Sequence, residues 1–287
     1  MRKKYTHEEL ELLHTELYDI LGETIRVCRK HNIPYFIIGG TAIGALYDRV
    51  ILPWDDDIDI GMTRKNYNKF LEVAPKELGD SYFLSWIKTD PRSPYYFAKV
   101  KKNNTLFVEE LFHNVPMHPG IFVDIFPFDR IPGNKLLLKI QHETVNFLNC
   151  CLMGKEKWMW KHFGKCEIEH PTNRGAFPCF LNRVIDLLFS KKTIYRMLVS
   201  AQSCFNSWNT RYYNNVMTTT DHVTEESLRH LQPMAFGPLT VTAPADVEGF
   251  LRYNYPTLHR YTEEEQEKVN NHYPVALSFN TATEQKP

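Results

Sequence analysis

The chain has 287 residues, 43% hydrophobic and 24% charged, a length and balance that suit one large domain or two small ones with a substantial core. Lys plus Arg and Asp plus Glu each number 34, so the net charge is zero, which excludes a bulk electrostatic pull toward nucleic acid or an anionic membrane. The charged N-terminal stretch has no apolar h-region of a secretory signal, and no run approaches the roughly 18 apolar residues of a membrane span. The expected location is therefore the cytoplasm, with peripheral contact at the inner face of a membrane left open.

Residues 7–31 repeat apolar side chains at three- and four-residue steps (Leu10, Leu13, Leu17, Leu21, Ile25, Cys28), the signature of a long amphipathic helix. Thr6 is placed as its N-cap and Glu9 as the capping-box partner, and "HNIP" ends it. "YFIIGG" at 35–40 reads as a short strand, "TAIGALYDR" as a helix start, and "DIDIGM" at 57–62 as the next strand. A helix follows from Thr63. "YFLSWI" and "YYFAKVKK" alternate as two further strands, and "GIFVDIFPFD" at 120–129 is another, broken by Pro127. From 134 to 213 the periodicity is helical in several pieces, interrupted near "HPTNRGAFP". A short strand at "LTVTA" and a helix at "ADVEGFLRYNY" close the pattern. The fold class is α+β, a mixed sheet with flanking helices and a helical C-terminal half. The division is a core over 1–132 and a mainly helical part over 133–287, packed on the core and forming the acceptor side. The six cysteines, Cys28, Cys150, Cys151, Cys166, Cys179 and Cys204, lack C-x-x-C zinc spacing and read as reduced thiols rather than a metal cluster.

Four aspartates in five positions, within "PWDDDIDIGM", raise the question of charge. On a strand, Asp57 and Asp59 point the same way, roughly 6 to 7 Å apart, while Ile58 and Ile60 point into the core. Asp55 shares their parity. Carboxylates so placed are costly unless a cation sits between them, and hard oxygen ligands suit Mg2+ or Mn2+. A calcium loop does not fit, because Ile60 stands where its glycine belongs and Asn66 where its glutamate does. One helix earlier, Gly39 and Gly40 permit close backbone approach, and Thr41 adds a hydroxyl at a helix N-terminus, which together form a phosphate cradle. Asp124, mid-strand between Val123 and Ile125, is the third acid; its alternative is a partner to a nearby Arg or Lys. Asp129 reads as a loop or cap residue. Phosphate on one side and metal on the other is a layout for phosphoryl or nucleotidyl transfer.

These residues carry a resemblance. "GGTAIGALYDRVILPWDDDIDIGMTRKNYNKF" followed by "VDIFPFD" resembles the LicD family of phosphotransferases, which includes the fukutin-related proteins, over about residues 7–130. The resemblance implies a nucleotidyltransferase-like fold. Carried over, it puts Gly40 and Thr41 on the turn, Asp57 and Asp59 on the metal pair, Asp124 on the third acid and Asp55 at an extra aspartate. It implies transfer of phosphocholine or a polyol phosphate from a CDP-activated donor (CDP-choline or CDP-polyol) to a glycan hydroxyl, in lipopolysaccharide, teichoic acid or other cell-surface polysaccharide. The family's "YG-D-x-M-x-x-P-P" stretch is replaced here by "LRYNYPTLHRYTEEEQEKVNNHYP", with Tyr255 and Pro256 at the Tyr-Gly place and His272 as the residual histidine.

Lys99, alternating with apolar residues, is a candidate phosphate clamp, with a solvated edge-strand lysine as the alternative. Trp54 and Tyr47 are candidates to stack on a base or cap a choline cation, or to pack in the core. Trp158, Trp160, Trp208, Tyr212 and Tyr213 could stack on sugars or form core. Lys191 and Lys192 could face an anionic lipid-linked acceptor or open a solvated helix. Two other functions fit the same residues: nucleotidyl transfer to a small molecule or protein with pyrophosphate release, and a non-catalytic nucleotide- or glycan-binding module. The absence of a basic stripe speaks against a nucleic-acid substrate.

Overall fold

The computed structural model describes residues 4–156, 184–185, 187–218, 220–266 and 273–280. Trp158, Trp160, Cys166, Cys179 and His272 lie outside the described residues. Helix α1 (His7–Lys30) begins at the capping box read from the sequence: the Glu9 N–H donates to Thr6 Oγ1 (3.1 Å) and the Thr6 N–H to Glu9 Oε2 (2.8 Å), so two orphan first-turn donors are satisfied at once. Its apolar stripe, including Leu13, Leu17, Ile20, Leu21 and Ile25, is buried.

The chain then runs β1 (Phe36–Ile37), α2 (Gly39–Tyr47), β2 (Asp59–Thr63), α3 (Arg64–Glu77), β3 (Tyr82–Ser85), β4 (Ala98–Lys102), β5 (Leu106–Val108) and β6 (Phe122–Arg130). After these come α4 (Lys135–Gly154), α5 (Lys191–Ser203), β7 (Tyr212–Asn214), β8 (Val223–Thr224), α6 (Glu225–Arg229), β9 (Gln232–Phe236), β10 (Leu239–Ala243), α7 (Val247–Asn254), α8 (Glu263–Gln266) and β11 (Ala276–Ser278). One mixed sheet holds the order β1, β2, β6, β4, β3, with β7 on the far end of β6 and β8 beyond it. The β2 and β6 strands are parallel, whereas β6 is antiparallel to β4 and to β7. Helices α1 and α3 pack on the sheet. On the Phe126 side, α4 and α5 form a second cluster through Leu148, Cys151, Leu152, Ile194 and Leu198. The architecture is thus mixed α+β. Among the described residues no helix is long and apolar enough to cross a membrane.

Two expectations about local structure change. Strand β6 is not broken at Pro127; it runs through it, opposite Met62 of β2. The Asp124 N–H donates toward β2, to Ile58 O (2.9 Å). N–H groups alternate sides along a strand, so position 127 faces the β4 side, where pairing has already ended at Ile125 with Ala98. The missing proline donor therefore removes no ladder bond. The second half, expected to be helical, also supplies the short strands β7 to β11, which return to the head: β7 extends β6 and β11 pairs with β5. Apart from β10, the "LTVTA" strand, most are too short to show a period of two.

Asp129 is not a loop or cap residue. It is fully buried and is held by the Arg64 guanidinium, whose Nε lies 3.0 Å from Oδ1 and whose second nitrogen also reaches Oδ2 and the Gln202 Oε1 (2.9 Å). Asn206 adds a bond to Asp129 Oδ1 (2.6 Å). This network ties the start of α3, the end of β6 and the α5 region together. Removing one partner of such a pair leaves an uncompensated buried charge. Asp129→Ala is expected to lose about 3–5 kcal/mol of unfolding free energy, measured by urea denaturation; a loss below about 1 kcal/mol would contradict the role given to the network.

Candidate active site

Sheet register builds the site. Asp59 of β2 stands opposite Asp124 of β6, Asp124 opposite Lys99 of β4, and Lys99 opposite Ser85 of β3. Directly opposed residues share a face, so an acid, an acid, a base and a hydroxyl form one row across four strands. The intervening residues Ile58, Ile60, Val123, Ile125, Ala98 and Val100 are fully buried on the opposite face. The polar row is thus fixed by the same alternation that fills the core.

The strand expected to carry both Asp57 and Asp59 starts at Asp59; Asp57 lies in the segment leading into it. Ladder bonding reaches back one residue, to Ile58 O, and does not include Asp57. Oxygens of Asp55, Asp56 and Asp57 lie within 4.8 Å of one another. This acidic turn is held from the N-terminal segment: His14 Nε2 meets the Asp55 carbonyl (2.8 Å) and the Tyr5 hydroxyl donates to Asp56 Oδ2 (2.8 Å). Asp56 is buried by that contact, whereas Asp55 and Asp57 are half-buried.

Gly39 and Gly40 stand at the start of α2, pressed against these acids. Gly39 has φ +55, the left-handed region, and a Cβ there would lie 3.5 Å from Asp59 Oδ2. A Cβ on Gly40 would lie 2.6 Å from Asp55 Oδ2, closer than side chains tolerate. The Thr41 hydroxyl accepts the Asp59 N–H (2.9 Å) and so pins the start of β2 to the first turn of α2.

Lys99 points along the polar row rather than into solvent; it is almost fully buried. Its ammonium lies 2.9 Å from Asp124 Oδ1 and 3.0 Å from Oδ2, and sits 3.3 Å from the Phe122 ring centroid and 4.3 Å from that of Tyr95. Two residues on, Lys101 is also buried and donates to the His118 carbonyl; burial, with Lys99 nearby, pushes it down to about 8. Trp54 is half-buried, edge-on to Tyr261 at 5.6 Å, and Tyr47 packs against the main core. Tyr212 stacks on Tyr253, Tyr213 lies under Arg130, and Trp208 is exposed. Lys191 pairs with Glu156 (2.7 Å) and the Pro91 carbonyl (2.8 Å), a contact inside the fold.

Residues 32–148 match the family model described as LicD/FKTN/FKRP, nucleotidyltransferase domain. The chain carries a LicD-family domain. It is 29% identical over 196 residues to the lipopolysaccharide cholinephosphotransferase LicD of Haemophilus influenzae, an alignment covering 66% of each chain. It is also 37% identical over 79 residues to an uncharacterized protein of Rickettsia typhi (27% of this chain, 25% of that one) and 35% identical over 70 residues to one of Rickettsia prowazekii (24% and 26%). The chain thus covers just under two thirds of the Haemophilus protein and about a quarter of each rickettsial one. The matched domain contains the 39–41 turn, the aspartates at 55–59, Lys99 and Asp124.

One carboxylate that sequence reading missed lies outside it. Asp221, after β7, accepts the Tyr255 hydroxyl (3.3 Å), and its charge is felt by Asp59. Nothing in "TTTDHVTEE" marks it, because the contact is made only by the fold. The acids feel one another. Burial, then the charges of Asp57, Asp124, Asp55 and Asp221, hold Asp59 well above the usual carboxylate range. Burial raises Asp124 to about 6 against the opposing pull of Lys99. Burial also raises Asp221 to about 6, against the hydrogen bonds from Tyr255 and Gly39.

A carboxylate whose pKa is raised on folding stabilises the folded state below its unfolded value, and that stability is lost as pH rises through the folded value. For Asp221 the window runs from about 4 to about 6 and just above. Buried His14 and His118, both pushed down by burial, act in the opposite direction but cancel in a comparison of variants. In chelator, Asp221→Asn is therefore expected to gain stability relative to wild type as pH rises from 4 to 7, by about 1.4 kcal/mol per pKa unit, read from urea midpoints. A difference independent of pH would contradict the electrostatics described.

Proposed function

We propose that the chain transfers a substituted phosphate, phosphocholine or a polyol phosphate, from a CDP-activated donor to a glycan hydroxyl in the synthesis of a cell-surface polysaccharide such as lipopolysaccharide or teichoic acid. The observation that carries the reading is the in-register pair of Asp59 and Asp124 beside the glycine turn that opens α2. The LicD-family domain supports it, as does the likeness to a protein named for cholinephosphate transfer to lipopolysaccharide. A nucleotidyltransferase-like fold, a cytoplasmic location at the inner membrane face and a lipid-linked acceptor belong to the same proposal.

A divalent metal fits the residues present. The donors are all carboxylate oxygens, the set hard cations such as Mg2+ or Mn2+ prefer, and those of Asp55, Asp56 and Asp57 lie within 4.8 Å of one another. Asp57, Asp59 and Asp124, with Asp55 beside them, would hold it. When bound, such an ion supplies charge neutralisation at a diphosphate.

The chain's own residues do the rest. The first-turn amides of α2, with Gly39 and Gly40 free of side chains, receive donor phosphate oxygens. Thr41 keeps Asp59 in register with that turn. Asp124, raised toward neutrality and gripped by Lys99, accepts the proton of the attacking hydroxyl. The acceptor oxygen forms a bond to the transferred phosphorus, the phosphorus–oxygen bond to CMP breaks, and CMP leaves. Lys99 remains to balance charge beside the donor phosphate.

Incubation with CDP-choline, CDP-ribitol or CDP-glycerol and Mg2+ is expected to release CMP from one of them, slowly even without acceptor. Asp57→Asn is expected to reduce that rate at least about a hundredfold with an unchanged melting temperature. Pyrophosphate from CTP with no CMP from any of the three would favour nucleotidyl transfer. Full activity of Asp57→Asn would remove Asp57 from the site.

A further inference from the structure

Two kinds of contact hold the Lys99 ammonium. Asp124 takes it with both oxygens, at 2.9 and 3.0 Å. Ring faces surround it besides: the centroids of Phe122, Tyr95 and Phe97 lie 3.3, 4.3 and 5.3 Å away. An ammonium is attracted to a ring face electrostatically, without the sharp direction of a hydrogen bond. Its place therefore depends on how firmly each ring is set. Phe122 belongs to β6 and packs edge-on against Phe107 (5.2 Å). Phe97 adjoins β4 and packs against Phe126 at 4.3 Å. Tyr95 lies earlier, in the segment leading to β4, which begins at Ala98, so no strand ladder sets its ring.

The Tyr95 ring is set from the connection between β5 and β6. Its hydroxyl donates to Glu109 Oε2, and the ring meets Phe112 edge-on at 5.1 Å. Phe112 closes a short 3-10 helix, Glu110–Phe112. Glu109 directly follows β5, and β11 pairs with that strand, the Val275 N–H donating to the Val108 carbonyl (2.8 Å). A line of contacts thus runs from β11 through Glu109 and the Tyr95 ring to Lys99 and Asp124. A tyrosine hydroxyl has one proton to donate, and here it goes to the carboxylate that orients the ring.

We infer that Tyr95 and Glu109 are positioning residues for the transfer reaction: Glu109 accepts the Tyr95 hydroxyl and so fixes the ring that keeps the Lys99 ammonium against Asp124. The inference rests on the roles given to Lys99 and Asp124 above. Glu109 acts through a hydrogen bond, so a glutamine, which keeps an accepting oxygen, substitutes for it and an alanine does not. Both residues act through the same bond, so removing either partner has the same effect, and removing the second adds nothing.

The test compares the full chain with Tyr95→Phe, Glu109→Ala, Glu109→Gln and the double variant Tyr95→Phe/Glu109→Ala. The ε-methylene NMR signal of Lys99 is read first, since it needs no turnover; in a chain labelled at lysine it is the signal that Lys99→Arg removes. The ring faces are expected to displace it upfield of the other lysines. Tyr95→Phe and Glu109→Ala each move it back by the same amount, the double variant moves it no further, and Glu109→Gln leaves it in place. On whichever CDP donor the wild type turns over, Tyr95→Phe and Glu109→Ala each lower kcat roughly tenfold with KM within about twofold, the scale of one hydrogen bond, and Glu109→Gln restores kcat. Should Glu109→Ala not fold, Tyr95→Phe, which removes the same bond, carries the comparison. A Lys99 signal unmoved in Tyr95→Phe and Glu109→Ala overturns the inference. So does a glutamine variant as impaired as the alanine, which would make the charge of Glu109 the working part. If the wild type turns over no donor, the transfer reading fails, while the Lys99 signal still decides whether Tyr95 and Glu109 hold the ammonium.

Discussion

Asp59 and Asp124 face each other across the parallel ladder of β2 and β6, and the rest of the site is arranged around the cost of that juxtaposition. Two carboxylates side by side on a covered sheet face repel, and a slip of one residue would remove the conflict by bringing Val123 or Ile125 beside Asp59. The slip would also turn Asp124 into the core face filled by Ile58, Ile60, Val100 and their neighbours. The apolar alternation therefore enforces the acidic pair. Lys99, the next residue in the row, offsets one of the two charges. Asp55, Asp57 and Asp221 then add more negative charge than Lys99 balances. A site so built holds its acids in place by packing, and the proposed cation would neutralise their charge.

The second half of the chain also braces the head. Through Gln202 and Asn206 it completes the hydrogen bonding of the buried pair of Arg64 with Asp129, at the far end of the strand that carries Asp124. Through Asn214, Asn254 and Tyr255 it holds Asp221, whose charge is felt by Asp59. The end of the sheet, within the family domain, is thus fixed in part by residues beyond it.

Local signals were legible in the sequence where the physics is local. The capping box of Thr6 and Glu9, the stripe of α1 and the strand at "LTVTA" all depend on neighbours within a few residues. Asp124 stood out because an acid between Val123 and Ile125 needs a reason. The identity of its neighbours did not stand out: that Lys99 rather than solvent meets Asp124 follows from strand pairing, which no short stretch encodes. Asp129 misled because it ends an apolar strand, and its partner Arg64 opens a helix far upstream. Pro127 misled because its effect depends on where β4 stops. Asp221 gave no signal at all, since a left-handed turn and a hydrogen bond from the distant Tyr255 hold it.

The central claim is that the acids around Asp59 tolerate one another in the working protein because they share a doubly charged cation. Anomalous diffraction from a crystal grown with manganese and a CDP-activated donor tests it most directly. The account predicts a strong peak bounded by the carboxylates of Asp57, Asp59 and Asp124, next to the donor's diphosphate. Bound nucleotide with no peak there would contradict it.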